Sequence, residues 1–248
     1  MSRARRRSAP PPRNRGVIAG FLSLLGELLI TTGLVLALFV AYSLWWTNVL
    51  ADREASARGD EIRQLWQESP APPAGAPAGA PAAPGALDTG DGIGFLHVPA
   101  MKNGEVLVKP GTAPDILDDG VAGYYTEPVK SALPWDDKGN FSLAAHRDGH
   151  GAKFHNIDKV KNGDAIVFET RDNWYVYKVF AELRQTSKYN VDVISPVPKE
   201  SGRTAPGRYI TLTTCTPVYT SKYRYIVWGE LVRTEKVDDK RTLPAELR

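Results

Sequence analysis

Cys215 is the only cysteine in a chain of 248 residues. It closes the run Arg208–Cys215, RYITLTTC, and is followed by Thr216 and Pro217. A thiol acts as a nucleophile when it is exposed, ionisable and close to a base. The β-branched and aromatic residues before Cys215 predict a strand, and Pro217 cannot continue a ladder, so the sulfur is expected at a sheet rim. Arg224 lies nine residues further on, across TPVYTSKY. A hairpin over that loop returns Arg224 to the same rim. There its fixed charge favours a thiolate or donates hydrogen bonds to a developing oxyanion.

A base is needed beside the thiol, and the chain has four histidines. His97 sits inside a strand-like run and reads as a packed or solvated residue; His155 lies in a short turn sequence, GAKFHNI. His146 ends FSLAAH and opens the glycine-containing loop RDGHGA, a strand-end position like that of Cys215. His146 and His150 are four apart, a metal-pair spacing only on a helix, which Gly149 and Gly151 disfavour. A zinc site of His146, His150 and Cys215 is the alternative to a proton partner. Read blandly, Cys215 is a small buried hydrophobe and Arg224 a surface charge. An unpaired thiol outside the cell is a liability, which favours a reactive role.

The elements that must position these residues are strands. Ile93–Val98, Glu105–Val108, Phe141–Ala145, Asp164–Glu169, Trp174–Leu183, Arg208–Cys215 and Arg224–Val232 are rich in β-branched and aromatic residues and lie between Gly, Pro, Asn and Asp clusters. Asp164–Glu169 and Trp174–Leu183 are expected to pair across a polar turn. No long stretch after residue 93 has a helical period. Seven or so strands in about 140 residues predict a small closed barrel or sandwich. On a strand ending at Cys215, Thr213 shares the face of the sulfur and Thr214 points the other way.

The N-terminal part has a different character. Residues 1–16 hold Arg3, Arg5, Arg6, Arg7, Arg13 and Arg15 and no acid, and the rest of the chain is slightly acidic. A slightly acidic folded part argues against a nucleic-acid partner. Leu28 to Trp46 carries no charge, and Tyr42, Trp45 and Trp46 mark its far end. That is the length of a membrane span, with an aromatic belt and basic residues on the cytoplasmic side. A cleaved signal peptide is the rival, but this apolar stretch is long for one and Trp45-Trp46-Thr47-Asn48 is a poor cleavage site. Pro70 to Ala86 contains only Pro, Ala and Gly, a spacer composition. The expected organisation is a cytoplasmic tail and interface segment over 1–26, a transmembrane helix over 27–47, a juxtamembrane segment over 48–69, a linker over 70–92, a catalytic domain over 93–235 and a tail over 236–248.

TLTTC at 211–215, followed by Thr216-Pro217, resembles the TLxTC signature of sortases. An Arg on the following strand (YRYIVWGEL, 223–231) and a His at the end of an earlier one (AAHRDGHGAKF, 144–154) complete that family's His-Cys-Arg set. TLTTCTP is similar in particular to class E sortases of actinobacteria. In GVAGYYTEP (120–128), Gly123 stands where related sequences often carry a His before a Tyr.

The resemblance implies an all-β fold, an eight-stranded closed barrel with short helices in its loops, behind one transmembrane helix. It implies Cys215 as nucleophile, His146 as proton partner and Arg224 as oxyanion stabiliser, with Thr213, Thr214, Tyr124 and Tyr125 as substrate-binding candidates. No metal or cofactor is expected. The implied partners are secreted proteins bearing a C-terminal LAXTG- or LPXTG-like signal, an amine of the cell-wall peptidoglycan precursor, and the cytoplasmic membrane. The catalytic domain is expected outside the cell. The alternatives are a hydrolytic cysteine peptidase with the same thiol, and a non-catalytic surface-binding barrel.

Overall fold

The computed structural model describes residues 15–68 and 92–248. The expected basic tail up to residue 14 and the spacer over 70–91 lie outside these residues. Helix α1 runs Arg15–Glu68 and belongs to two compact units, which divide between Trp45 and Trp46.

In the first unit the helix carries the apolar stretch Ala19–Tyr42, long enough to cross a membrane. Leu28, Leu34, Leu36 and Phe39 are all exposed. A helix apolar on every side, with these side chains exposed, is suited to lipid. This stretch starts further toward the N-terminus than the expected 27–47, because a single Glu27 does not interrupt the helix.

The second unit is built on eight strands: β1 Gly94–His97, β2 Glu105–Pro110, β3 Ala122–Tyr124, β4 Gly139–Ala144, β5 Ala165–Glu169, β6 Asn173–Ser187, β7 Arg208–Thr216 and β8 Tyr223–Lys236. They close into a barrel in the order β1-β2-β3-β4-β7-β8-β6-β5, with β5 pairing back to β1. The seven expected strands are all present. The eighth, β3, is only three residues long, AGY, too short to show alternation. It runs parallel to β2, and β4 runs parallel to β7; the other pairs are antiparallel. A short helix α2, Pro114–Leu117, precedes β3.

Alternate residues fill the interior: Phe141 and Leu143 from β4, Ile166 and Phe168 from β5, Ile210 and Leu212 from β7, Tyr225 and Val227 from β8. Phe141 and Phe168 meet edge to face at 5.0 Å. The strands are also apolar on their outer faces, because three segments cover them. Val193 and Ile194 lie over Ile226 and Trp228, and Leu247 and Val237 lie over Val167, Trp174 and Val176. The third cover is the Trp46–Glu68 part of α1, whose buried positions are Ala51, Ala55, Gly59, Ile62 and Trp66. That is a helical stripe of small residues ending in two large ones. Ile62 and Trp66 pack with Phe95 and Leu107, and Trp66 meets Phe95 edge-on at 5.5 Å. Each of these two side chains contributes roughly 2 kcal/mol or more by leaving water.

The far end of this helix is fixed by charge. Glu169, 2% exposed in its side chain, accepts from Arg63 on the helix and from Arg241 beyond β8, and pairs with His97 on β1. Residues 236–248, read from sequence as a tail, thus lie against the barrel; Glu246 also pairs with Arg233 on β8.

Candidate active site

The β7–β8 hairpin decides where the cysteine and arginine stand. Its register is unbroken from Tyr209↔Glu230 to Thr216↔Tyr223, and Cys215 is directly opposite Arg224. Directly opposed residues in an antiparallel pair hold their Cβ atoms about 5 Å apart. Ile210, Leu212 and Val227 point inward, so Thr213, Cys215, Arg224 and Ile226 share the outer face. Cys215 is free and half-buried. Arg224 donates from one terminal nitrogen to the carbonyls of Ser221 (3.1 Å) and Tyr223 (3.0 Å). Its other N–H groups have no partner among the described residues.

A groove of about 300 Å³ adjoins this face, lined by Arg224, Thr213, Ile226, Tyr125, Tyr189 and Val191 among others. Tyr125 reaches across to the Thr213 hydroxyl at 2.9 Å. Burial pushes the Tyr125 phenol up from its ordinary pKa, so it stays a neutral hydrogen-bonding group at the groove wall. Thr213 also donates to the Leu143 carbonyl.

The other two substrate-binding candidates face elsewhere. Tyr124 packs against the barrel interior, 6.5 Å from Phe141. Thr214 donates to the Ala145 carbonyl at 2.7 Å. Gly123, the departure from the related pattern, has a local reason. A Cβ there would lie 1.9 Å from the Gly111 carbonyl, so the backbone just past the end of β2 approaches β3 too closely for any side chain.

His146 arrives from the neighbouring strand. The parallel β4–β7 register pairs Ala144 with Thr213. Continued past the strand end, it brings Ala145 beside Thr214 and His146 to the level of Cys215. Arg147 ties this corner together, although the sequence reading passed over it. It is 6% exposed, and donates to the Thr216 hydroxyl at 2.9 Å and to the Cys215 carbonyl at 3.4 Å. It also pairs with Asp158 and lies over the Tyr225 ring. The only signal in the sequence was its place next to His146. His146 Nε2 itself is 2.8 Å from Asp118 Oδ1, a residue that nothing in the sequence singled out.

The zinc alternative is not assembled. Among the described residues, the metal-ligating side chains that gather within 4.8 Å are His97, Glu105 and Glu169, not His146, His150 and Cys215. That cluster already holds Arg63, which bonds to both glutamates. His155, exposed in the loop after His146, donates from Nδ1 to the Arg147 carbonyl, 2.8 Å away.

A thiol and a guanidinium facing each other beside a groove, with an imidazole on the adjacent strand end, suit acyl transfer through a thioester. Over residues 96–232 the chain matches the sortase domain family. It is 64% identical over 233 residues to sortase SrtE2 of Streptomyces coelicolor, an alignment covering 94% of this chain and 90% of that protein. The chain belongs to the class E sortases. Solved class E sortases have the same fold. One is sortase E1 of S. coelicolor, crystallised with a tripeptide in its active site. It is 45% identical, with a TM-score of 0.61 over 66% of this chain and 100% of that one. Sortase E of Streptomyces avermitilis is 33% identical, with a TM-score of 0.56 over 63% of this chain and 97% of that one. As a sortase the chain is a cysteine transpeptidase, of a family that acts on proteins bearing a sorting signal and transfers them to a cell-wall amine. Its apolar N-terminal helix fits a single-pass membrane anchor.

Proposed function

We propose that Cys215, His146 and Arg224 carry the transpeptidase reaction on an LAXTG-like C-terminal signal. The observation that carries this reading is the direct opposition of Cys215 and Arg224 on one outer face of the β7–β8 ladder. Cys215 gives its proton to His146 and attacks the Thr carbonyl of the signal. The carbonyl π electrons move to oxygen, and the N–H groups of Arg224 that have no partner among the described residues donate hydrogen bonds to that oxyanion. Collapse breaks the Thr–Gly bond, and the proton on His146 goes to the departing glycine amine. An amine of the peptidoglycan precursor then attacks the thioester, giving a proton to His146, and the C–S bond breaks; the proton returns to the Cys215 sulfur as it leaves.

Substrate lies along this groove, against Thr213 and Tyr125, with Tyr124 and Thr214 supporting these walls from the barrel side. The tripeptide held by sortase E1 is a ligand of the class such a groove accepts. The basic tail keeps the N-terminus cytoplasmic and the barrel outside. Protease added to intact protoplasts should then cut the linker; full protection would reverse the orientation.

The test of the chemistry is mass spectrometry of the full chain in detergent, mixed with an LAXTG peptide with and without an amine. The expected result is a thioacyl adduct on Cys215, and peptide–amine product when the amine is present. Cys215→Ala should give neither while keeping its melting curve. Release of hydrolysed peptide alone, at any amine concentration, would favour the peptidase reading. Adduct formation by Cys215→Ala would remove the mechanism.

A further inference from the structure

We propose that Asp118 is the positioning residue for His146 in acyl transfer. Its carboxylate accepts the imidazole Nε2–H, fixes the ring's orientation and tautomer, and balances the charge of the imidazolium. This leaves Nδ1 as the nitrogen that takes the proton from Cys215 and hands it to the departing amine. The inference rests on the reading of His146 as proton partner and deepens it.

The contact itself is the first support. His146 Nε2 lies 2.8 Å from Asp118 Oδ1, and Nδ1 has no partner among the described residues. A carboxylate that accepts from one imidazole nitrogen selects the tautomer with its lone pair on the other.

The second support is that Asp118 is unclaimed. Among the described residues it contacts no Lys or Arg; its partners are His146 and, at 3.7 Å, His150 Nδ1. The adjacent Asp119 is the one neutralised, by Arg58 at 2.8 Å and Lys109 at 3.1 Å. The two neighbouring carboxylates are thus divided, one to hold the turn and the other left for the histidines.

Third, both arms of the pair are fixed to one support. Gly120, at φ +73°, lies so close to α1 that a Cβ would stand 2.9 Å from the Ala51 carbonyl. The loop after His146 is held by the same helix. Gly151 N–H donates to Asn48 at 3.0 Å and Lys153 pairs with Asp52 at 2.6 Å. An ordinary surface ion pair gains little because both side chains must be immobilised. Here the backbones on both sides are already placed.

His150 stacks on His146 with ring centres 5.3 Å apart and competes for the same oxygen. Removing it should leave Asp118 wholly to His146.

The test uses the full chain in detergent and measures single-turnover acylation by an LAXTG peptide. Asp118→Ala should lower the maximal acylation rate about 10- to 100-fold, a part of what a general acid–base group supplies. Half-saturation should stay within about twofold of the parent. Asp118→Asn, which keeps the shape and one acceptor, should fall between the two. His150→Gln should be close to the parent. Nitrogen-15 NMR of the imidazoles supplies a readout that a purely structural role does not move. His146 should be the Nε2–H tautomer in the parent and a mixture in Asp118→Ala. Parent-like acylation in Asp118→Ala, or an unchanged tautomer, overturns the proposal. If Asp118→Ala does not fold, Asp118→Asn decides: a parent-like rate together with an unchanged ring signal overturns it. His146→Gln separates the two readings. Normal acylation there sinks the proton-partner assignment itself; a dead His146→Gln beside a parent-like Asp118→Ala sinks Asp118 alone.

Discussion

Cys215 and Arg224 face each other within a continuous backbone ladder, one pair from its end, whereas His146 stands two residues beyond the end of β4 and depends on side chains. Its corner is held by Arg147 reaching to Thr216, by Asp118 from the α2 turn, and by Asn48, 103 residues before the Gly151 it binds. A ladder places its members through backbone hydrogen bonds that every residue type can make. A loop corner is placed by particular polar groups, each contributing about 1 kcal/mol and each removable by one substitution. The strand half of the site should therefore lose chemistry without losing geometry, and the loop half should lose both together.

The largest expected effect comes from Arg224. If its fork of N–H groups receives the oxyanion, Arg224→Ala and Arg224→Lys should each slow acylation about 100- to 1000-fold, since an ammonium does not reproduce that geometry. The melting temperature should hardly change, because the β7–β8 ladder does not depend on the guanidinium. Near-parent acylation by Arg224→Lys across pH 6–9 would leave Arg224 only an electrostatic role. A fall in melting temperature of many degrees would blur the contrast between the two halves.

The same contrast explains what could be read without a structure. The hairpin spacing, the strand-ending Cys215 and the alternation that puts Thr213 beside it are local patterns, and the ladder preserves them. The long β strands were legible because their β-branched and aromatic runs serve a barrel covered on both faces. Strand β3 was not, because a Gly123 pressed against Gly111 leaves no side chain to alternate. The covering stripe of α1 was hidden because Ala51, Ala55 and Gly59 do not register as apolar, while the visible Leu50 and Leu65 are exposed. Asp118 and Arg147 were hidden for another reason. A lone Asp or Arg in a polar loop has no pattern, and its meaning comes from a partner far away in the chain.

Acid should separate the halves at the next level of size. Burial alone would raise the pKa of Glu169, but hydrogen bonds from His97, Arg63 and Arg241 outweigh it and hold the carboxyl at about 2, against an ordinary 4.5. A depressed carboxyl stabilises the fold above its unfolded value, and that contribution is lost as pH falls from about 4.5 toward 2. The shift corresponds to about 3 kcal/mol. Because Glu169 binds Arg63, this loss should be felt where α1 is clasped to the barrel. Thermal melting between pH 5 and 2.5 should show a steep fall in the parent. Glu169→Gln should start lower and fall less. Equal slopes in both proteins would assign the acid sensitivity to other carboxylates.

The smallest effect is the most direct probe of the loop half, and it lies far from the chemistry in sequence. Asn48→Ala leaves the Gly151 N–H without its acceptor, at a cost of about 1 kcal/mol. Spread over a loop that also carries Lys153–Asp52 and the Arg147 contacts, this should not unfold anything. It should let the segment 147–156 move and misplace His146 part of the time, with acylation slowed by a few-fold, on the order of one missing hydrogen bond. Asn48→Asp keeps an acceptor oxygen and should recover most of the rate. Amide hydrogen exchange supplies the matching structural signal. Gly151 and its neighbours should exchange faster in Asn48→Ala, while Thr213 through Thr216 on β7 should not change. Faster exchange across β7 as well would mean that the ladder leans on the helix too, and that the two halves are not independently built. Unchanged exchange at 147–156 and an unchanged acylation rate would make the Asn48 contact a passive one, leaving Arg147 and Asp118 to hold the histidine by themselves.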